Sequence, residues 1–153
     1  MARLRILCVG KTKAPWVDGG VQVFAKRLQG LAQVQFVEIR DQRGAANPAA
    51  AVARESGRIL KQATPGFWLL DERGKGLRSV ELAQRLQRAQ GDGVVDIVVG
   101  GAHGVSDEVK AAAGETIALS QMTLTHEMAK LLLVEQVYRA CNINAGGQYH
   151  HGD

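Results

Sequence analysis

The sequence predicts an α/β domain: a mainly parallel sheet with helices on both faces. Two observations predict it. Short runs of apolar, largely β-branched residues alternate along the chain with segments whose apolar residues recur at helical spacing. No linker composition, repeat or low-complexity block interrupts that alternation, so the 153 residues are expected to form one domain.

Residues 3–9 (RLRILCV) read as the first strand. A Gly-Lys-Thr-Lys loop follows, and a helix begins near Pro15, a residue favoured in the first turn. Val21, Phe24 and Leu28 form its inward face. A second strand is expected at 33–39, then a basic loop and a helix opened by Asn47-Pro48. FWLLD at 67–71 supplies a third strand, ERGKG a loop, and Ser79 the cap of a helix that turns Leu82, Leu86 and Ala89 inward. The fourth strand ends at Val99 in three glycines, Gly100, Gly101 and Gly104, before Ser106 caps a helix that Gly114 would terminate. TIAL at 116–119 makes a short fifth strand. A last helix from about His126 to Ala140 leads into a Gly-rich tail ending YHHGD.

The balance of 19 Lys and Arg against 15 Asp and Glu gives a net charge of +4, spread as basic pairs through the first ninety residues. That pattern fits a polyanion partner and equally fits an ordinary basic surface. Cys8 and Cys141 are the only cysteines, one in a strand-like run and one near a helix end, so no disulfide is expected and a reducing cytoplasm fits. Neither an export signal nor an apolar run of ~18 residues is present, so membrane spanning is not expected.

Three loops compete for the chemistry. VGKTK contains the GKT of a phosphate loop, but the motif's leading glycine would fall on Arg5 inside the strand. Val99-Gly100-Gly101-Ala102-His103-Gly104 resembles a dinucleotide fingerprint whose first glycine is valine, and it follows the fourth strand rather than the first. Its glycines also fit a tight turn, or close approach of a ligand to the backbone. The third loop, within TIALSQMTLTHEM, is uncharged from Thr116 to Thr125 yet polar, a composition suited to presenting peptide groups to a neutral heterocycle such as adenine. In a parallel sheet Leu70, Gly100 and residues 119–124 would converge at the carboxyl edge of the strands. The final helix carries apolar residues around its whole circumference, which suits burial by its own domain on one side and by a second subunit on the other. Glu135 and Arg139, four apart, fall on one face, either as an ordinary helical ion pair or as a polar pair in a dimer-lined cleft.

Taken together, LSQMTLTHEMAKLLLVEQVYRA, the GGAHG loop after IVV, LLDERGK, VGKTK with PWV, and the closing YHH resemble the ribosomal RNA large subunit methyltransferase H family across essentially the whole chain. The resemblance implies a SPOUT fold with a deep C-terminal trefoil knot, a homodimer, and S-adenosylmethionine as the methyl-donor substrate. Cofactor-binding positions carried over are Leu70, Gly100, Leu119, Ser120, Gln121, Met122, Thr123 and Leu124. The implied reaction methylates N3 of a pseudouridine in a hairpin loop of 23S ribosomal RNA within the assembled ribosome. His126, Glu135, Arg139, Tyr149 and His150 match the family's catalytic positions. Arg139 would steady negative charge with Glu135 fixing its fork, Tyr149 would stack on the extruded base, and either His126 or His150 would take the N3 proton. The Gly-rich Ala145-Gly146-Gly147 would let the tail close over a cleft, in its own subunit or the other. His151 stands where the family commonly has Arg or Lys. Adjacent His150 and His151 have no cysteine at ligand-like spacing, so no metal is expected. A non-catalytic RNA-binding or ribosome-associated α/β protein is the alternative from another class, and binding of S-adenosylmethionine separates the two.

Overall fold

The computed structural model describes residues 1–152. Its elements run β1 (Ala2–Val9), α1 (Pro15–Leu28), β2 (Ala32–Ile39), α2 (Pro48–Gln62), β3 (Trp68–Gly76), α3 (Ser79–Ala89), β4 (Val94–Val99), α4 (Asp107–Ala112), β5 (Glu115–Ala118) and α5 (His126–Asn144). Every strand pair is parallel, and the spatial order is β2-β1-β4-β3-β5. Alternating strand residues divide between two cores. Leu4, Ile6, Ile97 and Ile117 meet Val17, Val21 and Leu28 of α1, Leu82 and Leu86 of α3, and Leu133, Val134 and Val137 of α5. Leu7, Ile39, Leu69 and Val98 meet Ile59 of α2 and Val109 of α4 on the opposite face.

That topology decides where a ligand can bind. From β1 the chain crosses by α1 to β2 on one flank; from β4 it crosses by α4, on the other face, to β5 on the opposite flank. The two connections diverge between adjacent strands and leave a crevice at their carboxyl ends, the switch point of an open parallel sheet.

Several local expectations are corrected. ERGKG is strand rather than loop: Leu70 and Lys75 both register with Ile117, so Asp71–Gly74 bulge out and pairing resumes to Gly76. Its charges disguised it, and Gly74 is required because a Cβ there would lie 2.7 Å from the Thr116 carbonyl. Ser79 is the first helical residue of α3 rather than its cap. Arg78 holds the cap position with its N–H donating to Glu81 (2.7 Å), while the Ser79 hydroxyl donates to Gln136 of α5 (2.6 Å). Helix α4 ends at Ala112 with Ala113 as its C-cap, and Gly114 lacks the left-handed φ of a glycine terminator; its absent Cβ instead leaves room for the Gly66 carbonyl. The last helix continues past Ala140 to Asn144.

One polar pair is buried in the sheet. Asp96 of β4 sits directly opposite Arg5 of β1 and is 1% exposed. Its carboxylate accepts from Arg5 Nε (2.8 Å) and Nη2 (2.5 Å) and from the N–H (2.8 Å) and hydroxyl (3.0 Å) of Thr64. Arg5 also donates to the Gln62 carbonyl (2.9 Å), tying the end of α2 to the sheet. Burial is the largest single influence on Asp96 and pushes its pKa up; the bonds from Arg5 and Thr64 outweigh it and hold the group below the ordinary carboxylate value. Asp96→Ala is expected to cost about 3 kcal/mol at neutral pH, the low end for breaking a buried pair, because Arg5 retains some access to water. A depressed pKa contributes stability above the unfolded value and loses it as pH falls through the folded value. Denaturant unfolding of both proteins should therefore show the gap full at neutral pH and narrowing in acid.

Candidate functional site

A cavity of about 810 Å³ opens at the switch point, a size suited to a small organic ligand. Four loop systems wall it: Ala14–Val17 after β1, Leu70–Arg73 on β3, Val99–Val105 after β4, and the segment from Leu119 into the first turn of α5. Of the carried-over cofactor positions, Leu70, Gly100, Leu119, Ser120, Met122, Thr123 and Leu124 line it; Gln121 is exposed and is not among the lining residues. The uncharged loop is held from within. Ser120 Oγ accepts from the Met122 N–H (2.9 Å), the Thr123 hydroxyl donates to Glu72 of the β3 bulge, and Thr125 caps α5 by accepting from the Met128 N–H (3.2 Å).

The glycines after β4 serve the chain itself. A Cβ on Gly100 would meet Val105 Cγ1 at 3.0 Å, and one on Gly101 would meet Val9 at 3.1 Å and the Glu55 carboxylate at 3.2 Å. Only Gly104 needs the left-handed region (φ 80°), closing a turn in which its N–H donates to the Gly101 carbonyl (3.0 Å). The loop is thus packed tightly enough to lay its backbone along the cavity wall.

Sequence reasoning weighed the GKT of the β1–α1 loop but singled out neither Trp16, at the start of α1, nor Glu127. Trp16 is 66% exposed and lines the cavity mouth, out of phase with the buried Val17–Val21–Leu28 face, and that phase offset was a readable signal. Glu127, in the first turn of α5, pins this loop by accepting from the N–H groups of Lys13 (2.5 Å) and Ala14 (3.0 Å). The Ala14 bond above all, with that of Lys13, holds the Glu127 carboxyl below its usual range against a contrary push from burial. Lys130 adds a bond to Thr12 (2.9 Å).

The catalytic candidates separate into two places. His126 lines the cavity. Glu135, Arg139, Tyr149 and His150 form a second cluster farther along α5. Glu135 Oε1 accepts from Arg139 Nη2 (2.7 Å) and the Tyr149 hydroxyl (3.0 Å), and Oε2 accepts from Gln136 (2.7 Å). The Arg139 guanidinium lies 4.7 Å above the Tyr149 ring, whose edge packs on Tyr138 at 4.7 Å. Burial first, then the hydrogen bond to Glu135, raises the Tyr149 phenol above its ordinary value. Arg139 thus occupies one face of the Tyr149 ring. The Gly-rich tail folds back onto its own helix: Gly146 turns at φ 75°, and Asn142 Oδ1 accepts from the Tyr149 N–H (3.1 Å). From His126 to Arg139 the helix rises about 20 Å, and none of the four cluster residues lines the cavity of its own chain.

Both thiols are buried and unpaired, and burial pushes each up to about 11, which makes them inert nucleophiles at neutral pH. Among the described residues no group of three His, Cys, Asp or Glu is arranged to hold a metal ion, and no helix is long and apolar enough to cross a membrane.

Comparison with known proteins places this architecture. The family model described as "Predicted SPOUT methyltransferase" matches residues 2–150. Proteins named ribosomal RNA large subunit methyltransferase H match over 97% of this chain and 99% of their own length, at 40% identity in Trichlorobacter lovleyi and 42% in Geobacter sulfurreducens. Among solved structures, the tRNA (m1G37) methyltransferase of Aquifex aeolicus aligns with a TM-score of 0.55 at 18% identity, over 90% of this chain and 69% of that one. A Legionella pneumophila protein solved with bound cofactor SAM aligns with a TM-score of 0.52 at 11% identity, over 91% of this chain and 66% of that one. These structural likenesses establish the shared fold.

The Glu127 staple gives a direct prediction. Glu127→Ala should speed amide hydrogen exchange at Lys13 and Ala14 by about tenfold, the scale of losing a bond to a charged acceptor, with β1 and β4 unaffected. Unchanged exchange at both amides would show that the loop is held otherwise.

Proposed function

The chain belongs to the SPOUT methyltransferase family, among the proteins named ribosomal RNA large subunit methyltransferase H, and from that premise we propose that it methylates N3 of a pseudouridine in a hairpin loop of 23S ribosomal RNA, using S-adenosylmethionine. The observation that carries this reading is the cavity at the switch point. Leu70, Leu119 and Leu124 offer apolar walls to an adenine, the uncharged 119–124 backbone offers it hydrogen bonds, and the carboxylates of Asp71, Glu72 and Glu127 suit a sulfonium cation. When bound, S-adenosylmethionine supplies an electrophilic methyl group. This chain's residues align the acceptor nitrogen with it and manage the N3 proton and the charge left on the base. The same cavity favours a methyltransferase over an RNA-binding protein without a small ligand.

The reading includes a homodimer. Trp16 and Val23, seven residues apart on α1 and so on one face, are both exposed, and Leu132 of α5 is half-buried outside either core. An interface through these side chains would let one subunit's Arg139 cluster, which lines no part of its own cavity, reach the other's. The C-terminal trefoil knot belongs to the same reading, supported by the loops after β4 and β5 lying together around the cavity. A ribosomal substrate implies a cytoplasmic location.

Calorimetry should give S-adenosylmethionine binding in the low-micromolar range or tighter, about −8 kcal/mol. Arg139→Ala should keep that affinity within a few-fold while methyl transfer to ribosomes, read by mass spectrometry of the nucleoside, falls by about 10². RNA binding with no affinity for S-adenosylmethionine would overturn the reading in favour of the non-catalytic alternative.

Leu132→Glu should yield a folded monomer by sedimentation. Leu133→Glu, at a side chain wholly buried within its own subunit, should fail to fold. A dimer that survives Leu132→Glu would remove this surface from the interface.

A further inference from the structure

The two histidines are interchangeable as proton acceptors at the level of sequence, but the hydrogen bonding of His150 distinguishes them. Arg139 Nη1 lies 3.2 Å from His150 Nδ1. A guanidinium has donors only, so Nδ1 must be the acceptor in this contact and its lone pair is committed. A neutral imidazole carries one ring proton, which this assigns to Nε2. Nε2 is buried and has no hydrogen-bond partner among the described residues. Gly152 packs beside it, at a distance where a side chain would touch the ring. A buried N–H without an acceptor is rare in a folded protein and marks a place where an acceptor is still to be supplied.

We infer that His150 is a fixed hydrogen-bond donor, presenting Nε2–H to a carbonyl oxygen of the target base once Gly152, which packs beside it, moves aside, and is not the proton acceptor of the reaction. The inference rests on the methyltransferase reading above and deepens it by assigning a role within that site. The chemistry of an imide fits. N3 of a uracil-type base lies between two carbonyls, and charge that develops as N3 gives up its proton spreads onto both oxygens. N3 gains a methyl group as the methyl–sulfur bond breaks, the sulfonium becomes a neutral thioether, and the N3 proton leaves to a separate base. His150 keeps its own proton throughout. Of the two histidines at family-matching positions, His126 is then left to accept that proton, and it lines the cavity together with His103. Arg139 serves twice: it carries positive charge, and it selects the His150 tautomer. Glu135 in turn fixes Arg139 and, with both oxygens already accepting, is a positioning residue.

Nitrogen-15 NMR of the intact protein labelled at its four histidines tests the tautomer without any activity measurement. The resonance pair lost in His150→Gln should show a protonated Nε2 and a bare Nδ1, and Arg139→Ala should redistribute it. Activity supplies the second arm. His150→Ala should lower ribosome methylation by about 10², whereas His150→Gln, whose amide can place a donor near Nε2 but cannot take up a proton, should regain roughly tenfold of that loss. A proton on Nδ1 in the wild-type protein, or a Gln variant as poor as the Ala variant with S-adenosylmethionine binding intact, overturns the inference. Failure of the wild-type protein to methylate ribosomes would instead overturn the functional reading, and the NMR result would still decide the tautomer.

Discussion

The rigidity of α5 is the constraint on which the rest of the site depends. One continuous helix carries His126 at its first residue and Arg139 about 20 Å farther on, with no glycine or proline between them to bend it. Its first turn is fixed to the β1–α1 loop by Glu127 and to the loop after β5 by the Thr125 cap. Its middle is locked by Leu133, Val134 and Val137 against the sheet. Cavity and charged cluster are therefore held at separate places along one rod, and the proposed dimer would bring them together from two copies of the chain.

The fold was largely legible because a parallel sheet buried on both faces leaves strong signals. Continuous apolar runs such as ILCV and IVV, and the helical spacing of Val21 and Leu28, exist because each side chain has a fixed core to fill. Where the sequence misled, another demand had overridden the local one. The charged ERGKG is strand because Gly74 lets the bulged chain pass the Thr116 carbonyl, a requirement visible only with β5 in place. Ser79 gave up its capping role because its hydroxyl bonds Gln136, far away in sequence. Gly114 stands where it does for the approach of Gly66.

The candidate site was legible in part, and for different reasons. The uncharged polar loop announced itself by its lack of charge, although Gln121, Met122, Thr123 and Thr125 are in fact exposed. The glycines after β4 were noticed, but their occupants, Val105, Val9 and Glu55, come from the protein's own packing, and no pattern in sequence reveals which atoms fill a missing side chain. Trp16 and Glu127 stayed hidden since one is a single out-of-phase aromatic and the other reaches a loop more than a hundred residues away. The tail looked flexible by composition, yet Asn142, the edge contact of Tyr149 with Tyr138 and the Arg139 guanidinium over its ring tie it to the helix that precedes it.

The central claim is that the cavity of one subunit works with the Arg139 cluster of its partner. Because Arg139 touches Tyr149 and His150 of its own chain, arginine and tail behave as a unit, and the informative pairing sets that unit against the cavity. The most direct measurement mixes two inactive proteins, Gly100→Val with a spoiled cavity wall and Arg139→Ala with a spoiled cluster, and follows ribosome methylation as subunits exchange. In a mixed dimer built as described, one site combines both defects and the other has neither, so activity should return toward half that of the wild-type dimer. Mixed dimers that form, shown by native mass spectrometry, yet stay inactive would contradict the account.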